Sequence, residues 1–187
     1  MTIPGLVQNS QDIQFVSAFK KQVAAFSDAA TQIIADKGSF LGQSNYPALF
    51  GNYMNITKIC NNASTEGCWH AANETYALDG TIGGVPTNWD ANKAFVWKGF
   101  ILADGTLVAT YDGWNSTCSL TGSACGFIAV DVYGFKRPNV IGKDIFLLWV
   151  YQDRLMPGGA PGINTGGYSD SDCTTYGWGC AYKVIIQ

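Results

Sequence analysis

Residues 125–151 read CGFIAVDVYGFKRPNVIGKDIFLLWVY. Ile128, Val130 and Val132 alternate with Ala129, Asp131 and Tyr133, the period of two that half-buries a strand. Ile145–Tyr151 is β-branched or aromatic almost throughout and reads as a strand covered on both faces. Between the two runs, Gly134, Pro138, Asn139 and Gly142 punctuate a constrained link. Glycine admits positive φ there, and proline fixes φ while removing a donor. Asp131 and Asp144 stand at the two ends of that link, where the strands stop and start.

The flanking segments extend the pattern. In KAFVWKGFILADGTLVATY, residues 93–111, two apolar runs bracket Ala103-Asp104-Gly105. Asp-Gly is the favoured pair for a type I′ hairpin turn. Residues 153–179 are rich in Gly, Pro, Ser and Asp and read as loop. Ala181–Ile186 then reads as a last apolar strand. Asn45-Tyr46-Pro47 opens a short helix reaching about Met54. Residues 55–92 read as loop-rich and include Gly83-Gly84-Val85-Pro86.

The beginning of the chain is helical. Val16, Phe19, Val23, Phe26, Ala30 and Ile33 step by 3, 4, 3, 4 and 3, an apolar stripe on one helix face. Lys20, Lys21, Gln22, Asp28, Gln32 and Asp36 lie off it. Thr2 or Ser10 can cap the start, Pro4 suits a first turn, and Lys37-Gly38 makes a basic last turn with a left-handed stop. A helix over 3–37 is about 50 Å long at about 1.5 Å per residue, so its N-terminal end is expected to project from the body. The stripe favours packing on a sheet, with a two-stranded coiled coil as the other use of such a pattern. A helix followed by strands on short turns predicts an α+β fold, a long N-terminal helix on an antiparallel sheet, loop-rich. One domain over 1–187 is expected: helix 1–38, a mixed loop region 39–92, and sheet with C-terminal loop 93–187.

Composition narrows the function. Of 187 residues, 13% are charged and 13% aromatic, with 22 glycines and a net charge of −3. That is a loop-rich globular chain rather than a disordered one. Twelve of the fourteen acids are Asp, which suits many turns. No basic run exceeds two residues, Lys20-Lys21 and Lys136-Arg137, so nucleic acid is not an expected partner. The longest wholly apolar run, Ile145–Tyr151, is far short of the roughly 20 residues of a membrane span.

Six cysteines fall in three close couples, Cys60/Cys68, Cys118/Cys125 and Cys173/Cys180, with six or seven residues between partners. No couple has zinc-knuckle spacing, and the single histidine cannot complete a Cys/His set. Disulfides, and an oxidising compartment, follow. Many connectivities are open to six cysteines; the close couples motivate the sequential set. Such cysteines without an export signal suggest a mature fragment, or an N-terminal piece removed and Met1 added.

The 125–151 stretch also resembles the Asp-x-x-Gly…Pro-Asn-x-x-Gly-x-Asp-x-Phe segment in the C-terminal half of bacterial type IV pilin-like proteins. Here it is Asp131, Gly134, Pro138, Asn139, Gly142, Asp144 and Phe146, with Tyr133 where the family often has asparagine. TIPGLVQNSQDIQFVSAFKKQVAAFSDAATQI, residues 2–33, is similar to the stretch after the apolar N-terminal segment of type IV pilins and pseudopilins. The apolar run and its Gly-Phe-Thr-Leu-Ile-Glu type cleavage signature do not occur here, and residues 39–92 match poorly. The resemblance implies the globular part of a structural subunit of a pilus or pseudopilus filament at the bacterial cell surface. Its partners would be other pilin subunits, met through an N-terminal helix extension, with the inner membrane holding the subunit before assembly.

No residue set makes a convincing catalytic site, so no enzyme activity is expected. His70 has no local partner and reads as a solvated loop histidine. The two glutamates lie in loop-rich sequence, poor ground for a glycosidase pair. No cofactor is expected, though some pseudopilins hold calcium in a C-terminal loop. Asp131, Asn139 and Asp144, and separately Asp170 and Asp172, offer oxygens for it. Structural turn aspartates that order the 134–143 link are the alternative. Asn55, Asn62, Asn73 and Asn115 each match the glycosylation acceptor pattern, which Asn/Ser/Thr-rich loops produce by chance. The rival function is a secreted glycan-binding, lectin-like module using loop aromatics Trp69, Trp89, Trp114, Tyr168, Tyr176 and Trp178. Exposed coplanar rings favour that reading, and rings capping the core oppose it.

Overall fold

A computed structural model describes residues 4–71, 73–82, 97–120, 122–162 and 170–187, with side chains from residue 10 and not at 170–171. The chain opens with a long helix, α1 (Pro4–Lys37), and a short one, α2 (Tyr46–Phe50). Among the described residues six strands follow: β1 (Ile56–Cys60), β2 (Lys98–Leu102), β3 (Leu107–Tyr111), β4 (Gly126–Asp131), β5 (Ile145–Val150) and β6 (Leu155–Pro157). A 3-10 turn over Asp170–Thr174 and a last helix, α3 (Cys180–Ile186), complete it. The strands form one antiparallel meander in sequence order, so each pairs with its chain neighbour. The α+β class expected from the sequence is what is found.

The apolar stripe of α1 seats on one face of this sheet. Phe19 stacks on Phe146 of β5 at 4.1 Å, and Phe26 lies 5.5 Å from Phe50 of α2 and 6.3 Å from Phe100 of β2. Val108, Ile128, Val130, Leu148 and Val150 complete that layer with Ala30 and Ile33. Each buried large apolar side chain contributes about 1.5–3 kcal/mol. From Phe19 to Ile33 the stripe is therefore covered within one chain, while Val16 at its start is half-buried. It is also wider than the spacing predicts. Phe15 is buried, and Gln22, expected off the stripe, is 3% exposed. Gln22 sits under the β2–β3 turn, where its Nε2 donates to Asp104 Oδ2 (2.8 Å) and Thr106 Oγ1 (3.0 Å). A buried amide with partners on a neighbouring element is tolerated in a core; hydropathy spacing cannot see those partners. The helix ends as expected: Gly38 has φ 81° and donates to Ile34 O at 2.8 Å.

The other face of the sheet is covered too. Phe127, Ala129, Leu147, Trp149 and Tyr151 lie beneath Ala63, Trp69 and Trp97, with Trp114 and Trp178 packed at the margin. β4 is accordingly buried at all its positions, not half-buried. The loops after β1 and β3 fold back over the face that period-two reading assigns to water. β5 is buried on both faces, as its composition predicts.

Three local readings are corrected. Ala181–Ile186 is not a strand but part of α3. Ala181, Val184 and Ile185, at helical spacing, face the α1 side of the core, and that packing overrides the β preference of Val-Ile-Ile. The Asp104-Gly105 turn is not type I′. Gly105 has φ 88°, Asp104 does not have positive φ, Gly105 N donates to Leu102 O (2.9 Å) and Leu102 N to Thr106 O (3.0 Å). That is the three-residue loop with a left-handed glycine, and it leaves Asp104 placed to receive Lys21 and Gln22 from α1. Finally, the 55–92 region contains β1. Its side chains are mostly exposed, so it carries no apolar alternation to read. Among the described residues, no helix is long and apolar enough to cross a membrane.

Candidate functional site

The link between β4 and β5 is built around two carboxylates. Asp131 ends β4. Its Oδ1 accepts N–H bonds from Tyr133 (2.8 Å) and Gly134 (2.9 Å), the local turn that aspartate favours. Gly134 has φ 69°, and a Cβ there would lie 2.9 Å from Gly105 O, so the link and the β2–β3 turn meet backbone to backbone. Asp144 precedes β5. Its Oδ2 accepts from Asn139 N (2.8 Å) and its Oδ1 from Val140 N (2.6 Å). Asn139 holds φ 56°, a conformation asparagine tolerates better than most residues. Its Nδ2 donates to Glu74 O at 3.3 Å. Tyr76 N donates to Asn139 O (2.9 Å) and Ile141 N to Tyr76 O (2.8 Å), tying residues 74–76 onto the link.

His70 belongs to the same centre. Its Nε2 lies 2.6 Å from Asp131 Oδ2, and the two side chains are 1% and 0% exposed. The expectation of a solvated loop histidine is wrong. The Cys60–Cys68 loop lays Trp69 over the outer face of the sheet, and His70 follows it inward. Its ring makes edge contacts with Trp69 (5.4 Å between centroids) and Phe135 (5.6 Å). The partner is 61 positions away, beyond any local search. The signal available in the sequence was Asp131 with Gly134 three positions later, the mark of a turn-forming aspartate at a strand end.

Burial pushes the Asp131 carboxyl above the ordinary range, against the pull of His70 and the two N–H donors. Burial, followed by the charge of Asp131, pushes Asp144 from 3.8 up to about 6, opposed by the N–H groups of Val140 and Asn139. The centre thus holds two buried carboxyls, both shifted toward the neutral form, with the His70 ring against one of them. A histidine and a carboxylate at this distance can exchange a proton, but neither side chain reaches solvent.

The calcium reading finds different geometry. Asp131, Asn139 and Asp144 do come together, but the oxygens of both carboxylates face hydrogen-bond donors, where calcium needs six to eight inward-facing oxygens. Among the described residues no group of three or more His, Cys, Asp or Glu side chains is arranged to hold a metal. Asp172 lies in the C-terminal loop, where its Oδ2 accepts from Gly179 N at 3.1 Å and its main-chain oxygen from Thr175, Tyr176 and Gly177. Burial raises its carboxyl pKa, opposed by the N–H groups of Gly179 and Trp178.

The cysteines pair sequentially: Cys60–Cys68, Cys118–Cys125 and Cys173–Cys180. The last bridge seats the C-terminal loop on the link. A Cβ at Gly142, φ 85°, would meet Cys180 Sγ at 2.8 Å and Gly177 Cα at 2.9 Å. Peptide mapping without reductant is expected to return these three bridges and no cross-couple bridge. Removing the last one as C173A/C180A is expected to lower the unfolding free energy by about 2–3 kcal/mol in guanidinium titration; an unchanged midpoint would contradict that role.

Among the described residues, the loop aromatics do not form the platform that sugar stacking needs. Trp69 is buried, Trp114 and Trp178 are half-buried, and Tyr176 is 53% exposed. Trp89 and Tyr168 lie outside the described residues. Of the four acceptor-pattern asparagines, Asn55 and Asn73 are exposed, and Asn62 and Asn115 are half-buried. No family model, curated protein or solved structure matches this chain.

Proposed function

We propose that this chain is the globular part of a filament subunit of the type IV pilin or pseudopilin kind. One observation carries the reading: α1 is divided between two environments. Between Phe15 and Ile33, the side chains of Phe15, Phe19, Phe26, Ala29, Ala30 and Ile33 are buried, and from Phe19 onward they join the core on the chain's own sheet. Ahead of Phe15, Ser10, Gln11, Ile13 and Gln14 are exposed, Ile13 to 66%. A helix used this way anchors a folded body with one stretch and leaves the turn ahead of it for assembly. The meander sheet, the short disulfide loops and the resemblance of residues 2–33 and 131–146 support the same reading. The oxidising compartment implied by three disulfides agrees with a cell-surface filament.

The test is incorporation. An apolar segment of about 20 residues with its cleavage signature, joined ahead of α1 in a cell carrying the assembly machinery, is expected to place the chain in filaments. The chain of 187 residues alone is expected to remain a monomer or weak dimer by light scattering. Ordered filaments of that chain under negative stain would overturn the account. Tight self-association abolished by changes within Val16–Ile33 would favour a coiled coil.

A further inference from the structure

We propose that Phe135, Lys136 and Arg137 form a docking surface for anionic phospholipid headgroups, at the end of the body from which α1 departs. This rests on the filament-subunit reading for its setting, since that reading places a membrane beside the start of α1.

The position comes first. The β4–β5 link packs against the early turns of α1. The Phe15 ring lies 5.1 Å from Tyr133, and Lys143 Nζ lies 3.3 Å from Asp12 Oδ1. Nothing in the link's polar chemistry explains its tip. Phe135 is 55% exposed, and Lys136 and Arg137 beside it are exposed. Phe135 and the two cations after it thus form one exposed patch.

The charge arrangement is directional. The two carboxylates of the link, Asp131 and Asp144, are fully buried and engaged with inward donors. Lys136 and Arg137 are exposed instead. Lys136 Nζ rests 5.4 Å from the centre of the Tyr133 ring, and the Phe135 ring is held at its base against His70. A chain with net charge −3 therefore presents a small basic and aromatic tip at one end. An aromatic followed by two cations suits a membrane interface, the ring among the headgroups and the charges on anionic lipid. An exposed loop tip suits a fluid, deformable surface, whereas an acidic protein partner would call for a shaped recess.

The test is sedimentation of the full chain with vesicles at millimolar lipid and low ionic strength. Vesicles are equal parts phosphatidylcholine and phosphatidylglycerol, or phosphatidylcholine alone. Preferential partition onto the anionic vesicles is expected, weakening with added salt. K136Q/R137Q is expected to weaken it about 30-fold, the loss of two surface cations, with an unchanged melting temperature because both side chains are exposed. K20Q/K37Q removes the same charge from α1 away from the link and is expected to leave partition near wild type. Equal partition onto both vesicle types, or equal losses in the two double variants, would overturn the proposal. The filament reading fails separately. If the segment-extended chain enters no filament while partition still depends on Lys136 and Arg137, the docking surface stands and the filament reading falls.

Discussion

Asp131→Ala is expected to lower the unfolding free energy by about 3–5 kcal/mol, the scale of breaking a buried, hydrogen-bonded pair by removing one partner. The substitution leaves His70 Nε2 without its hydrogen-bond partner in a site closed to water. It also leaves the N–H groups of Tyr133 and Gly134 without theirs. Unmet buried donors cost about 1–3 kcal/mol each, and structural relaxation keeps the sum below simple addition. Asp131→Asn is expected to cost much less. Its amide oxygen can still serve both backbone donors, and its Nδ2 can donate to His70 if the imidazole turns its unprotonated nitrogen inward. Because burial already disfavours the Asp131 charge, removing that charge while keeping the shape recovers part of the loss. Urea titration of both variants checks the ranking. An alanine variant within about 1 kcal/mol of wild type would show that the pair does not hold the link. Limited proteolysis gives a second readout: the alanine variant is expected to be cut sooner within 61–71, the segment that His70 fastens to β4.

The same centre shows how far sequence reading reaches. β5, the β2–β3 hairpin, the span of α1 and its Gly38 stop were legible because each is set by neighbours along the chain. Composition, period and a left-handed glycine suffice there. The sequential disulfides were legible because short spacing limits what each cysteine can reach. The misreadings arise where a distant segment decides. β1 is a strand because β2 pairs with it, while its exposed side chains leave no period. Residues 181–186 are helical because Ala181, Val184 and Ile185 meet the α1 side of the core, although Val-Ile-Ile prefers a strand. Gln22 is buried because the β2–β3 turn supplies its acceptors, and His70 because β4 supplies Asp131. In both cases a polar residue is drawn inside by a partner that no sequence window contains. The importance of Asp131, Asn139 and Asp144 was readable from their places around Gly134, Pro138 and Gly142. Their hydrogen-bonding role was not, since the same oxygens are equally good calcium ligands until their donors are seen.

A second large effect concerns pH. The fold is expected to be more stable at pH 5 than at pH 7.5, the reverse of ordinary acid denaturation. Asp144 titrates at about 6 in the folded chain, against a reference of 3.8. A raised folded-state value means that the native state binds the proton more tightly than the unfolded state. The stabilisation from that proton is complete below the reference value and disappears as pH rises through about 6. The gap corresponds to about 3 kcal/mol if no other group intervenes. Asp131, also raised by burial, acts in the same direction. Asp104 opposes them. Its partial burial is outweighed by Lys21, Thr106 and Gln22, so its value is lowered. Its contribution is lost only as pH falls through that lowered value, below about 4. The windows are separate, and stability is expected to peak between them. Denaturant midpoints measured from pH 4 to 8 with the disulfides intact test this. Asp144→Asn removes the titrating group while keeping one acceptor for Asn139 N or Val140 N, so it is expected to flatten the decline between pH 5 and 7.5. A wild-type profile that rises across that interval, or an Asn variant that keeps the wild-type slope, would mean that Asp144 remains ionised in the fold. In that case the donors from Asn139 and Val140, rather than its burial, set its charge.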